Sequence, residues 1–295
     1  MSDIKAVGFI GLGVMGEAMC RNLVRKCGTP VIGFDRRPEP LERLEKDGVT
    51  RAASITDLLR RTDLVLICVP GEPESRAVCL GKDGVVENAR AGQIVVDMST
   101  VPPSVGRDVA AACAKKSVDF LDAPIARARF AAIDGTLSIM VGGDAAVLKR
   151  VHPFFATMGT DITHCGGTGT GQVMKLMNNM VVYENLNAIA EAYTIAKRAG
   201  MDGTLFLETL AKGSGDSFVC RNHGLKSMAK DDHPENAFPV TYVLKDVGYA
   251  VQLAEEMGVD ARGAKLVIEL MEQAKAAGHG AKYGTIIQRV IDGRL

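Results

Sequence analysis

Two groups of residues in this 295-residue chain have types and spacings that could do chemistry. The first is Gly11-Leu12-Gly13-Val14-Met15-Gly16, a GxGxxG. In that spacing the first glycine allows a tight turn and the second lets backbone amides approach a pyrophosphate. The third lets a helix pack close to a strand. A helix opening inside the motif would offer N–H groups and partial positive charge to phosphates. The motif also requires an acidic residue about twenty positions on. Asp35 stands nineteen positions after Gly16 and could accept both ribose hydroxyls of NAD. A 2′-phosphate would be repelled there, so NAD is expected over NADP. Arg36 and Arg37 keep NADP open, because guanidinium groups just past this position can hold that phosphate. The second group is Gly169-x-Gly171-x-x-x-Lys175-x-x-x-Asn179. Lys175 falls in an apolar stretch, and Asn179 is four residues later on the same helix face. A lysine on a heavily buried helix is unusual, and desolvation lowers its pKa. A neutral amine there could act as general base toward an alcohol, with Asn179 orienting the amine or the hydroxyl. On the residues alone, a lysine snorkelling to water stands equally beside this reading.

These residues need elements to hold them. Ala6–Ile10 is an apolar run, as expected of a strand buried on both faces, and a helix follows from about Val14 to Cys27. Further strands are predicted at Val31–Phe34, Leu64–Val69, Ile94–Asp97, Phe120–Asp122, Leu137–Val141 and Asp161–His164. Ser54 reads as a helix N-cap, and Pro102-Pro103 opens another helix. Alternation of this kind implies a doubly wound, mostly parallel sheet. The texture changes at the glycine-rich stretch Gly166–Gly171, a natural hinge. The expected division is a Rossmann-like α/β domain, residues 1–165, and an all-α domain, residues 166–295. Gln172–Ala199 has neither Pro nor Gly and predicts one helix about 40 Å long. Its apolar residues, Met174, Leu176, Met177, Met180, Val181, Leu186, Ile189 and Ile195, cover most of the circumference. Burial on several sides, between domains or between subunits, is therefore expected. Later helices should break at Gly213–Gly215, Asp231–Pro234 and Gly278–Gly280.

Composition bounds the partners. Hydrophobic residues are 47% and charged residues 24%, with 35 basic and 35 acidic side chains balancing to zero. That excludes intrinsic disorder and leaves no broad attraction for nucleic acid or a membrane surface. Apolar runs such as Leu64–Val69 are too short to span a bilayer, and the N-terminus shows no signal-peptide pattern. Seven scattered cysteines, none in a CxxC, point to reduced thiols and a cytoplasmic location. The five histidines lack metal-ligand spacing, so no metal is expected.

Read in order, FIGLGVMG, DMST (Asp97–Thr100), DAP, GTLSIMVGG (Gly135–Gly143), GTGQVMKLMNN and LKD (Leu244–Asp246) span nearly the whole chain. The set resembles the β-hydroxyacid dehydrogenases, which include 3-hydroxyisobutyrate dehydrogenase, tartronate semialdehyde reductase and the decarboxylating 6-phosphogluconate enzymes. The resemblance implies a 6-phosphogluconate dehydrogenase-like fold, an active site between a Rossmann-like and a helical domain, and a homodimer or homotetramer. It implies NAD(P) contacts at Gly11, Gly13, Val14, Met15, Gly16, Asp35, Val69, Thr100 and Lys245. It makes Lys175 the general acid/base with Asn179 as partner, and places Ser99 and Asn178 at the substrate.

One departure is informative. Most of the family follows DAPV with Ser-Gly-Gly, whose amides hold the substrate carboxylate. Here Pro124 is followed by Ile125-Ala126-Arg127-Ala128-Arg129. With Lys175-Leu176-x-Asn178-Asn179 downstream, this resembles the branch containing 3-sulfolactaldehyde reductase, in which the matching arginine holds a sulfonate. Arg127 is thus implied as the anion anchor, with a surface or interdomain ion pair as its alternative, and Arg129 reads rather as such an ion-pair partner. The implied substrate is a short anionic 3-hydroxy acid, or hydroxy sulfonate, and its semialdehyde. Sulfolactaldehyde, succinic semialdehyde, tartronate semialdehyde, serine and 3-hydroxyisobutyrate all stay open. Two alternatives stand beside this: an imine reductase on the same two domains, which usually lacks the lysine, and a non-catalytic dinucleotide-binding scaffold.

Overall fold

Alternation along the strands decides the layers. In β4 (Leu64–Ile67), Leu64 and Leu66 join one apolar cluster while Val65 and Ile67 join another. The sheet is therefore covered on both faces, which is why its central strands read as continuous apolar runs. The computed structural model describes residues 4–235 and 237–295. The chain divides into two compact units, Met1–Lys175 and Leu176–Leu295.

The first unit runs β1 (Val7–Ile10), α1 (Val14–Lys26), β2 (Val31–Phe34), α2 (Pro38–Glu45), β3 (Thr50–Arg51), α3 (Ile55–Arg61), β4, α4 (Glu72–Leu80) and α5 (Val85–Asn88). It continues with β5 (Ile94–Asp97), α6 (Pro103–Ala114), β6 (Asp119–Asp122), β7 (Ile125–Ala126), α7 (Ala128–Asp134), β8 (Leu137–Gly143), α8 (Ala145–Phe155) and β9 (Gly159–Gly166). The strand order is β3-β2-β1-β4-β5-β6-β8-β7, with β9 on β8. β1 to β6 are mutually parallel, whereas β8 runs antiparallel to β6 and β7. The order reverses between β1 and β4, and in such sheets ligands bind outside the C-terminal strand ends at that switch point. The predicted strands are all present. The two-residue strands β3 and β7 escaped prediction because so short a pairing shows no alternation. Ser54 caps α3 by accepting from Asp57 N at 3.0 Å.

Helix α9 (Thr170–Arg198) begins in the first unit and continues into the second. The second unit adds α10 (Gly203–Leu210), α11 (Val240–Glu256), α12 (Arg262–Ala274) and α13 (Ile287–Asp292). Its core gathers Tyr183, Leu186, Leu207, Val243, Val247, Val267 and Met271. Within the chain α9 buries Leu176, Leu186 and Ile189, while Met174, Val181 and Ile195 are exposed. Steps of seven and fourteen residues put all three on one face, which the chain itself leaves uncovered. No described helix is long and apolar enough to cross a membrane, and all seven cysteines are free.

Candidate active site

The glycine loop follows β1 at the switch point. Gly11 has φ +87°, and a Cβ there would collide with the Cys68 carbonyl, just past β4. A Cβ on Gly16 would collide with the Gly11 carbonyl. These two glycines are demanded by the fold. Gly13 differs, because the nearest atom to a Cβ there is an Arg37 guanidinium nitrogen 4.0 Å away. Gly13 is also the N-cap of α1, and no side chain caps that helix. Beside it Val14 is 65% exposed and Met15 is half-buried. The Asp35 carboxylate, at the end of β2, accepts Leu12 N at 2.7 Å and Arg37 N at 2.8 Å. It lines an open groove with Phe34, Arg36, Leu41, Arg51 and Ala52. An uncapped helix N-terminus, open space over Gly13 and a carboxylate at the next strand end fit NAD(P).

Along the sheet, β5 and β6 each end on a buried aspartate, Asp97 and Asp122, which are register partners. Asp97 accepts Ser75 Oγ at 2.6 Å and Ser99 N at 2.9 Å. Burial pushes both carboxyls up, against the bonds donated to them. Ser99 is buried, and its hydroxyl accepts Val69 N at 2.9 Å. It therefore ties the loop after β5, which carries half-buried Thr100, to the loop after β4.

Lys175 lies in the second turn of α9 and is only 8% exposed. In the second unit Asn179 Nδ2 donates to Asp246 Oδ2 at 2.6 Å, and Asn178 Nδ2 donates to Asn179 Oδ1 at 3.1 Å. Lys245 Nζ pairs with Asp246 Oδ1 at 3.1 Å and lies over the rings of Tyr242 and Tyr249, at 5.5 and 5.7 Å. Asn178, Asn179, Asp246 and Lys245 thus form one polar chain on α9 and α11.

Arg127 belongs to the first unit, between β7 and α7. Its φ is +85°, in the left-handed region that favours glycine. Its guanidinium pairs with Asp161 at 2.6 Å and donates to Thr136 O and Thr160 Oγ1, at 3.1 and 3.2 Å. The side chain is about half exposed, and Arg129 is exposed too. Sequence reasoning missed Ser75 and Gln172, and gave no role to Asp97 or Asp122. The available signal was a carboxylate closing each of two adjacent apolar strands.

Comparison with known proteins places the chain. Residues 6–167 match the family model described as the NAD binding domain of 6-phosphogluconate dehydrogenase. Residues 169–291 match that described as NAD-binding of NADP-dependent 3-hydroxyisobutyrate dehydrogenase. The 2-hydroxy-3-oxopropionate reductase of Escherichia coli is 33% identical over 272 residues, 92% of each chain. The mitochondrial 3-hydroxyisobutyrate dehydrogenase of Rattus norvegicus is 30% identical over 85% of this chain and 76% of its own. A structure of Mycobacterium tuberculosis 3-hydroxyisobutyrate dehydrogenase with L-serine superimposes with TM-score 0.88 at 28% identity, over 98% of this chain and 99% of that one. With a glycine loop and a strand-end carboxylate that suit a dinucleotide, these matches make the chain an NAD(P)-dependent member of the β-hydroxyacid dehydrogenase family.

Proposed function

We propose that the protein interconverts a short anionic 3-hydroxy acid, or hydroxy sulfonate, and its semialdehyde, with Lys175 as proton carrier and Arg127 as anion anchor. One observation carries the reading. Lys175 is buried near the start of a helix whose first turn is bonded to the Ser99–Val101 loop, at the C-terminal end of the sheet where dinucleotides bind. The names of the relatives, a hydroxy-oxopropionate reductase and 3-hydroxyisobutyrate dehydrogenases, support a small hydroxy acid. When bound, NAD(P) supplies a hydride acceptor at its nicotinamide ring, and a donor in the reverse direction.

In oxidation, neutral Lys175 takes the hydroxyl proton as hydride leaves the same carbon. In reduction, Lys175 as ammonium returns a proton to the developing alkoxide. Asn179 has its amide fixed by Asp246, which suits it to orient the amine one turn away. Asn178 adds a donor for the substrate. Arg127 exchanges Asp161 for the substrate's far anion, binding it through two donors. We place the division of labour at the Gly166–Gly171 stretch, with residues 1–165 serving the dinucleotide and lending Arg127 to the substrate, and 166–295 serving substrate and self-association.

The test is a panel of short hydroxy acids, hydroxy sulfonates and their semialdehydes, run in both directions with NAD(H) and NADP(H). Lys175→Ala should lower kcat by on the order of 10²–10⁴ with dinucleotide affinity nearly unchanged. Near-normal turnover in that variant removes Lys175 from the chemistry.

A further inference from the structure

Gln172 is fully buried, and its backbone N–H and side-chain amide are bonded within the first unit. Its backbone N–H donates to Asp122 Oδ2 at 2.9 Å, and the other oxygen of that carboxylate accepts Gly169 N at 2.6 Å. Its side-chain Nε2 donates to Ser99 O at 2.7 Å, while its Oε1 accepts Val101 N at 3.2 Å. One amide therefore clasps both sides of Thr100. The approach is close enough to exclude side chains around it. A Cβ on Gly142 would stand 2.6 Å from Asp122 Oδ1, and one on Gly171 would collide with the Met140 carbonyl. These bonds and close approaches tie the start of α9 to the ends of β6 and β8 and to the loop after β5. Lys175 is three residues on, adjacent to Gln172 on the helix surface.

We propose that Gln172 is a positioning residue that fixes the phase of Lys175 against the Ser99–Val101 loop. Carried by its Asp122-capped turn, it holds the amine and the loop in one register. The proposal rests on the proton-carrier reading of Lys175. Helix capping alone does not call for Gln172, because Asp122 already caps α9 through backbone groups. The side-chain amide joins the helix to the loop through a donor and an acceptor that a carboxylate or a thioether cannot both supply. Misplacement of a reacting group by about 1 Å can cost on the order of 10²-fold in rate.

The experiment is a double-mutant cycle on kcat with full-length enzyme and the best substrate of the panel. Gln172→Met keeps the shape and removes both bonds. It should lower kcat by about 10–100-fold at unchanged dinucleotide Kd. In a Lys175→Ala background it should lower the residual rate no further. A kcat within threefold of wild type, or an equal loss in both backgrounds, overturns the proposal while leaving Lys175 in its role. Full turnover of Lys175→Ala alone overturns the proton-carrier reading, and the positioning role with it. Should Gln172→Met fail to fold, Gln172→Glu keeps the acceptor for Val101 N and loses the donor to Ser99 O. Its solvent deuterium isotope effect on kcat should exceed that of wild type, because proton transfer becomes slower. An isotope effect equal to wild type at reduced stability would mark Gln172 as structural only.

Discussion

Arg127 poses the sharpest question at the scale of single residues. A non-glycine residue at φ +85° costs about 1 kcal/mol or more, and an exposed ion pair such as that with Asp161 returns about 0–1 kcal/mol. Arg127→Gly should therefore leave stability unchanged or raise it by up to about 1 kcal/mol. If the guanidinium anchors an anion, the same variant should raise KM for anionic substrates by about tenfold or more, since a charge-assisted bond is worth about 1.5–3 kcal/mol. Urea midpoints and a KM series decide it, and an unchanged KM would leave Arg127 to Asp161. Asp35 makes a second prediction. Its carboxylate stands where a ribose should be read, among Arg36, Arg37 and Arg51. Removing the charge in Asp35→Ser leaves three cations to welcome a 2′-phosphate. The ratio of kcat/KM for NADP over NAD should rise by about 10–100-fold. A ratio unmoved by the change would take Asp35 out of cofactor selection. The ratio is the proper readout, because Asp35 also accepts Leu12 N and its loss disturbs the glycine loop for both dinucleotides.

Helix α9 shows the same logic at the scale of elements. Its start is capped by Asp122 from a neighbouring strand rather than by a residue of its own sequence. Asp122→Ala strands two buried N–H groups and removes the cap, which should cost about 2–3 kcal/mol by chemical denaturation. A cost under about 0.5 kcal/mol would show that the turn finds other partners. The contrast explains what the sequence could and could not tell. The central strands, the glycine loop, Asp35 and the long helix were legible because each leaves a periodic or residue-type signature over a short window. Lys175 was legible because a cation in an apolar run is conspicuous. Gln172, Asp97 and Asp122 were not given their roles, because their partners are largely backbone groups, which carry no residue-type signal. For Gln172 those partners lie some seventy positions away. An ion pair for Arg127 was open from the sequence, but Asp161 as its partner was not legible, for a related reason. The pair depends on how β7, β8 and β9 are registered, and strand composition fixes neither the neighbour nor the direction of pairing. The exposed stripe on α9 could not be told from its buried residues, because counting apolar residues around a helix does not say which of its faces the chain covers.

For the molecule as a whole, the buried groups that respond to mild acid are histidines of the second unit. In the second unit His223 packs against Phe218 and Tyr283, at ring-centroid separations of 6.0 and 5.5 Å, and its buried Nδ1 finds no hydrogen-bond partner among the described residues. Burial, with Lys226 nearby, pushes its pKa down to about 4. Burial also lowers His233. Below a pH of about 6.5 the unfolded chain binds protons that these folded histidines refuse, so stability falls as pH descends from there toward 4. For His223 the full loss is on the order of 3 kcal/mol. Asp231 adds to it at lower pH. Burial would raise its carboxyl, but Arg289, Arg294 and His233 outweigh that and hold it down, so its contribution is lost as pH falls below the ordinary carboxylate range. In the first unit the carboxyls held low, such as Glu17 and Asp63, lose their contribution only below the ordinary carboxylate range, and its two deeply buried carboxyls have the opposite sign. Asp97 and Asp122 are raised by burial, so they favour folding more as pH falls through their folded values. Mild acid should therefore loosen residues 176–295 before residues 4–175. Amide hydrogen exchange at pH 7.5 and 5, corrected for intrinsic rates, should show protection lost first in α11 and α12, with the strands β1, β4 and β5 unchanged. His223→Phe keeps the ring stack, removes the titration and should flatten that loss. Equal loss of protection in both units, or a His223→Phe variant as acid-sensitive as wild type, would show that buried imidazoles do not govern the acid response.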